Sequence, residues 1–123
     1  LKNYLACVKI AEEMGAKYGI AGSYNNIGDI YQNQGNYQDA KKYLDDGLAL
    51  SKKIGSKPLI VDNYKTLSIL DSTEGNFAQA LEHYKMFTLY KHSMLNEESN
   101  NQTARMKIQY ETEKKDRQIE LLN

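Results

Sequence analysis

The sequence is poor in the residues and runs that mark several protein classes. Its 123 residues include one cysteine, one proline and no tryptophan. Because Cys7 has no second cysteine to pair with, the chain forms no internal disulfide, and the cysteine count leaves the redox compartment open. No apolar run approaches the roughly 20 residues that a membrane-spanning helix needs. We therefore expect no disulfide framework and no direct membrane insertion of this chain.

The charge is balanced. Sixteen basic and sixteen acidic side chains give a formal net charge of +0, which removes the long-range field that draws proteins to nucleic acid or to anionic lipid. The ten tyrosines supply rings for stacking on bases, but without a basic patch such stacking has little electrostatic support. We therefore predict no nucleic-acid partner.

An internal repeat of forty residues organises the chain. Shifting the sequence by forty residues aligns identical residues that are mostly glycine or apolar, as shared turns and shared packing require. The identical pairs are Gly15 and Gly55, Lys17 and Lys57, Ile20 and Ile60, Tyr24 and Tyr64, Gly35 and Gly75, Asn36 and Asn76, and Ala40 and Ala80.

Each repeat unit predicts two helices joined by a turn. Apolar residues from Ile20 to Tyr31 recur every three or four positions, the spacing of one helical face. Gly35 supplies a residue free to take positive φ just past the helix end, and Asn36 is expected to cap the next helix. Pro58 suits the first turn of the following helix. The tyrosines at repeat positions are expected to pack in the core: Tyr24, Tyr31, Tyr37, Tyr43, Tyr64 and Tyr84.

These patterns predict the domain organisation. Residues 1–16 align with the second helix of the next unit, so we interpret them as the second helix of a truncated repeat in a piece of a longer protein. Residues 17–56 and 57–95 form two repeats, and residues 96–123 form a long charged C-terminal helix. Each helical pair leaves an apolar face that only the next pair can cover, so the units stack into a solenoid. We expect five or six helices and no sheet.

The repeat resembles the tetratricopeptide repeat family. The first unit reads Tyr24-x-x-Ile27-Gly28-x-x-Tyr31, followed by Ala40-x-x-x-Leu44. The second unit departs from this pattern at Ser68 and Asp71. The resemblance implies an all-α, right-handed solenoid of helical hairpins that serves as a noncatalytic protein-interaction module.

After residue 95 the composition changes. No glycine or proline interrupts residues 96–123, which predicts one long exposed helix. Ile108, Ile119 and Leu122 lie on a four-three spacing with Thr112 and Lys115 between them, a coiled-coil rhythm with a sparse apolar seam. Two interpretations stay open: a solvated capping helix, or a signalling helix that forms a weak homodimer through Ile108, Tyr110, Ile119 and Leu122.

The segment KIQYETEKKDRQIELLN is similar to the helix that joins tetratricopeptide arrays to the membrane span of bacterial sensor histidine kinases. The similarity lies in Tyr110 to Lys115, followed by Ile119, Leu121 and Leu122. It implies the extracytoplasmic (periplasmic) sensory part of a membrane protein in two-component signalling. The alternatives are a soluble cytoplasmic adaptor and the repeat region of a helix-turn-helix transcriptional regulator.

No motif indicates catalysis, a cofactor or a metal. His83 and His92 are the only histidines, and at nine residues apart on one predicted helix they do not share a face at ligand spacing. No phosphate-cradling glycine-rich loop or zinc-protease motif occurs. Cys7 aligns with Gly47 and Phe87, which predicts a buried packing role. We expect no catalytic residues and no cofactor.

The candidate binding surface is the concave face of the solenoid, which the first helix of each unit lines. Polar residues there can pair with the backbone N–H and C=O groups of a protein or peptide partner. Only Lys65 with Asn25 resembles the cluster with which tetratricopeptide repeats clamp a C-terminal carboxylate, so that ligand is not favoured. The predicted concave-face residues are Asn25, Asp29, Gln32, Asn33, Lys65, Ile69 and Ser72.

Overall fold

A computed structural model describes the backbone of residues 2–122 and the side chains of residue 6 and residues 8–122. These residues form four helices: α1 (Lys2–Asn33), α2 (Tyr37–Ile54), α3 (Lys57–Thr73) and α4 (Phe77–Leu122). No strand occurs among them. The predicted all-α repeat fold is confirmed, with α1 and α2 as one hairpin and α3 and the start of α4 as the next.

The three turns between the helices share one hydrogen-bond pattern. Gly35, Gly55 and Gly75 have φ values of 79°, 69° and 81°, a conformation that favours glycine. In the first turn, the N–H of Gly35 donates to the carbonyl of Gln32, and the N–H of Asn36 donates to the carbonyl of Tyr31. Equivalent bonds close the other two turns. This Schellman arrangement satisfies the final carbonyls of each helix.

The helix count differs from the expectation because α1 and α4 are longer than predicted. Gly15 lies within α1 and has no positive φ. Asn36, Ser56 and Asn76 follow the three turn glycines, whereas Ala16 follows Gly15. Alanine is a poor residue for starting a new helix, so the helix continues. The polar residues 96–103 likewise lie within α4.

Asn36 stands just before α2, as predicted, but it does not cap the helix with its side-chain oxygen. Its Nδ2 instead donates to Oδ2 of Asp39 at 2.8 Å. This bond holds the Asp39 carboxylate in the first turn, where the positive end of the helix dipole favours it. Pro58 lies in the first turn of α3, as predicted.

The core lies in the first of two compact units, Leu1–Lys91. Its buried cluster joins Ala40 and Leu44 of α2 to four apolar residues of α3, and Met86, Phe87 and Tyr90 of α4 pack against it. The α3 members of the cluster are Ile60, Tyr64, Leu67 and Leu70. The predicted helical face of α3 is therefore the core face.

The prediction that all six repeat tyrosines are core residues is wrong for Tyr84. Tyr64 is buried, and Tyr24, Tyr31, Tyr37 and Tyr43 are half-buried, but Tyr84 is 56% exposed. No described helix covers α4 at Tyr84 in the way that α3 covers α2. The predicted burial of Cys7 concerns a side chain outside the described residues.

Gly28 is a point of close contact between α1 and α2. A Cβ atom at position 28 would lie 2.6 Å from Cγ of Leu44 and 3.3 Å from the carbonyl oxygen of Ala40. Leu44 is fully buried, so it has little room to move. The close contact predicted for Gly28 is confirmed.

We expect Gly28→Ala to lower the free energy of unfolding by about 1–3 kcal/mol, because the added methyl overpacks the α1–α2 contact. Gly19→Ala is the matched control, because Gly19 lies in the same helix with nothing within 4 Å of its Cβ position. That change should stabilise the protein by about 0.5–1 kcal/mol through helix propensity. Urea denaturation measures both. Equal changes in the free energy of unfolding for Gly28→Ala and Gly19→Ala would contradict the close contact at Gly28.

The second compact unit is His92–Asn123. All of its described side chains from Leu95 to Leu122 are exposed, including the apolar Ile108, Ile119 and Leu122, which are 65%, 58% and 87% exposed. The hydroxyl of Thr112 donates to the carbonyl of Ile108 within the helix. The long exposed helix is confirmed, and its role in dimerisation stays a prediction.

Candidate functional site

A depression of about 490 Å³ lies between α1 and α3, the first helices of the two hairpins. It brings together four of the predicted concave-face residues, Asn25, Asp29, Lys65 and Ile69, together with Asp62. Two carboxylates and one ammonium group therefore line one surface that joins the two repeat units. We refer to this depression as the concave pocket.

Asn25 is buried within the fold, at 8% exposure. Its Nδ2 donates to the carbonyl of Leu59 at 3.1 Å, and its Oδ1 accepts from Nδ2 of Asn63 at 2.6 Å. Asn63 is fully buried and also donates to the carbonyl of Leu44 at 2.7 Å. The amide of Asn25 is thus used to join α1 to α3, so Asn25 packs beneath the concave pocket that it lines, and its role in binding stays a prediction.

Gly47 makes this polar junction possible. A Cβ atom at position 47 would lie 2.5 Å from Oδ1 of Asn25 and 3.3 Å from Nδ2 of Asn63. Nearby, Ser51 is fully buried and its hydroxyl donates to the carbonyl of Gly47 at 2.6 Å. The amide groups of Asn25 and Asn63 thus bond to each other and to the backbone, whereas Oδ1 of Asn63 is buried without a hydrogen-bond partner.

The remaining predicted residues do not line the concave pocket. Asn33 is exposed near the end of α1, and Gln32 is half-buried. The Oε1 atom of Gln32 is buried without a hydrogen-bond partner. Ser72 is exposed and lies in a different depression, between α3 and α4.

That second depression is an apolar groove of about 560 Å³, which we call the end groove. Ile69, Leu81, Tyr84 and Phe87 supply its apolar side chains, and Lys65 is its one charged lining residue. Lys65 and Ile69 line both depressions, so the concave pocket and the end groove are adjacent. Sequence reasoning assigned Tyr84 to the core and so missed this surface.

A hydrogen-bonded carboxyl–imidazole pair replaces an aromatic stack in the second repeat unit. Tyr31 and Tyr43 stack with ring centroids 5.6 Å apart. Forty residues later, the same two positions hold Asp71 and His83, whose Oδ2 and Nδ1 atoms lie 2.5 Å apart. Asp71 is 4% exposed. The departure at Asp71 from the repeat pattern is therefore matched by His83, and the pair joins α3 to α4.

Another depression, of about 820 Å³, is lined by residues of α2 and of the turn before it, together with Glu74 in the turn after α3. It includes Lys41, Lys42 and Asp45. Burial raises the pKa of the Asp45 carboxyl above its usual value, and the charge of Lys41 opposes that rise. None of the predicted concave-face residues lines this depression.

Neither a membrane span nor a metal cluster occurs among the described residues. No described helix has both the length and the apolar character needed to cross a membrane. In the same part of the chain, no group of three or more His, Cys, Asp or Glu side chains is placed to hold a metal ion.

Comparison with known proteins identifies the repeat. A family model described as tetratricopeptide repeat matches residues 19–86, which is more than half of the 123 residues. A search of curated proteins found no match, and a search of solved structures found none. The matched range includes both hairpin turns and the concave pocket.

Proposed function

Because the chain belongs to the tetratricopeptide repeat family, we propose that it is a noncatalytic protein-interaction module whose concave pocket binds an extended segment of a protein partner. The supporting observation is that Asp29 of α1 and Lys65 of α3 line one pocket with Ile69, although they come from different repeats. Because one of these side chains is acidic and another is basic, the pocket suits a segment that carries both positive and negative charges. Asn25 supports this surface from beneath.

We expect alanine substitution of Asp29, Asp62 or Lys65, which all line the concave pocket, to weaken binding of such a segment by about 0.5–1.5 kcal/mol each, the net value of one hydrogen bond. The ligand is selected from a phage-displayed library of random 12-residue peptides, and isothermal titration measures its affinity. Asp46→Ala is the control, because Asp46 is an exposed aspartate on α2 outside the concave pocket. Selected peptides whose affinity survives all three substitutions would place the binding site elsewhere.

We further propose that the helix after residue 95 connects this module to the output of a bacterial sensor histidine kinase, with the repeats in the extracytoplasmic space. The support is the resemblance of Tyr110–Lys115 and the residues after it to the exit helix of such proteins. The sequence encoded after Asn123 tests this proposal. About twenty apolar residues followed by a kinase region would support it. A polar tail or a helix-turn-helix region would instead favour the adaptor or the transcriptional regulator.

A signalling helix of this kind is expected to pair weakly. Ile119 and Leu122 are exposed, while Thr112 and Lys115 interrupt the seam, so the 123-residue chain should be monomeric or weakly dimeric. A chain extended into the next segment should dimerise more tightly, and Ile119→Asp with Leu122→Asp should reduce that dimerisation by tenfold or more, about 1.4 kcal/mol. Sedimentation equilibrium measures both chains. If the extended double variant dimerises as tightly as the extended wild-type chain, the helix only caps the repeats and does not mediate dimerisation.

A further inference from the structure

The segment around Gly15 is the repeat equivalent of the turn that joins α2 to α3. The forty-residue shift aligns Gly15 with Gly55 and Lys17 with Lys57. Gly55 has a positive φ and ends α2, and α2 packs on α3 after the turn. Gly15, in contrast, lies inside the continuous helix α1. Equivalent positions of the two repeats therefore have two different backbone conformations.

Apolar side chains that are covered on both sides of the α2–α3 turn are exposed at the equivalent positions of α1. Ile60 is 3% exposed and belongs to the buried core cluster, against which Leu48 of α2 packs. The equivalents of these two residues, Ile20 and Val8, are 46% and 37% exposed. In the straight helix they lie roughly 18 Å apart along the axis, so they cannot pack together.

A paired exchange of side-chain size accompanies this difference. In the second copy, Asn63 of α3 donates to the carbonyl of Leu44 of α2. It lies so close to Gly47 that a Cβ atom there would be 3.3 Å from Nδ2 of Asn63. The first copy has Ser23 at the position of Asn63 and Cys7 at the position of Gly47. The shorter side chain on one helix leaves room for the larger one on the other, as contact between these positions requires.

We propose that Gly15 is a helix hinge and that residues 2–14 fold back along α1 as α2 folds back along α3. In this closed form Val8 packs near Ile20, and both leave solvent. Ile20 and Ser23 are exposed in the straight helix, so no described helix covers the surface that the segment takes. The occupant is the chain's own segment because the sequence around Gly15 matches the short turn that directs α2 onto α3.

Two neighbouring residues of the hinge favour opposite forms. Glycine takes the positive φ of the turn readily and weakens the interior of a straight helix. Ala16 stands where Ser56 precedes α3, and alanine is a poor residue for starting a helix, so it favours the straight form. This opposition makes the hinge a switch, because a contact that is made in only one form shifts the population towards that form.

Cys7 is the only cysteine in the sequence, and it reports the closed form when Ser23 is changed to cysteine. In the straight helix, residues 7 and 23 lie roughly 24 Å apart, whereas a disulfide needs Cα atoms within about 7 Å. In the closed form they take the places of Gly47 and Asn63. We therefore expect Ser23→Cys to form an intramolecular disulfide in a glutathione redox buffer, and mass spectrometry of the monomer identifies the linked peptides.

Asp29→Cys is the matched control, because Asp29 is an exposed residue of α1 on the side that lines the concave pocket. The redox equilibrium gives the effective concentration of Cys7 at each engineered cysteine. We expect this concentration to be tenfold or more higher at residue 23 than at residue 29.

Two hinge substitutions should move this equilibrium in opposite directions. Ala16→Ser copies Ser56 and should raise the effective concentration at residue 23 several-fold. Gly15→Ala should lower it several-fold, because alanine disfavours the positive φ of the turn. The straight helix accepts that alanine, since nothing lies within 4 Å of the Cβ position of Gly15.

Equal linking at residues 23 and 29 would overturn the proposal, because the segment would then be unfolded and not docked on α1. Disulfide-linked dimers in place of linked monomers would also overturn it, since a second copy would then cover the surface. An effective concentration that neither hinge substitution changes would contradict the hinge. Failure of peptide binding in the concave pocket bears only on the proposed function, because Val8, Ile20 and Ser23 do not line that pocket.

Discussion

His83→Phe is expected to lower the free energy of unfolding by about 3–5 kcal/mol. The substitution keeps a ring beside Tyr64, whose centroid lies 5.9 Å from that of His83, but it removes the partner of Asp71. The Asp71 side chain is 4% exposed, and a buried carboxyl group that loses its partner is strongly destabilising. Urea denaturation of the purified variant measures the loss.

The first repeat unit indicates which pair of side chains can replace Asp71 and His83. Asp71→Tyr combined with His83→Tyr recreates in the second unit the stack that Tyr31 and Tyr43 form in the first. We expect the double variant to be more stable than the sum of the two single changes predicts, by about 0.5–3 kcal/mol of coupling. Additive effects in this double-mutant cycle would show that the side chains at positions 71 and 83 are not energetically coupled.

Asn63→Ala should cost about 3 kcal/mol of stability. The substitution leaves Oδ1 of Asn25 without its donor in a buried site, which costs about 1–3 kcal/mol, and it opens a cavity between α1, α2 and α3 that adds to the loss. Asn63 is fully buried, so water replaces its amide poorly. Thermal and urea unfolding both report the change.

Asn26→Ala is the matched control for this prediction. Asn26 is an exposed asparagine next to Asn25, and exposed substitutions of this kind usually change stability by less than about 0.5 kcal/mol. A similar loss in both variants would mean that the buried amide junction contributes little to joining the two repeat units.

The turns and the core face of α3 could be predicted from sequence because they depend on short-range signals. Gly35, Gly55 and Gly75 each precede a helix-starting Asn or Ser, and that pair of residues defines the turn better than glycine alone. Gly15 lacks such a neighbour, and α1 continues through the boundary predicted after residue 16. The spacing of Ile60, Tyr64 and Leu67 likewise identified a face that the structure buries.

The concave surface was predicted less well because periodicity gives the face of a helix and not the depth of a side chain. Asn25 and Asp29 lie on the same face of α1, yet Asn25 is buried under Asn63 and Asp29 is exposed. The Asp71–His83 pair could have been predicted from the sequence. Aligning Tyr31 with Asp71 and Tyr43 with His83 shows that both positions changed together.

The exposure of the end groove depends on whether another helix packs on the second unit. Leu81 and Tyr84 have the spacing of core residues, and they would be core residues if such a helix covered them. Sequence periodicity cannot distinguish a covered apolar face from an exposed one, so Tyr84 was assigned to the core.

Mapping of a bound peptide by amide chemical shifts tests the central claim, that the concave pocket is the interaction surface, most directly. With a library-selected 12-residue peptide added to the isotope-labelled chain, we expect shifts centred on Asp29, Asp62, Lys65 and Ile69. Shifts centred instead on Lys41, Lys42 and Asp45 would contradict the claim, because they would place the peptide in the polar depression on α2.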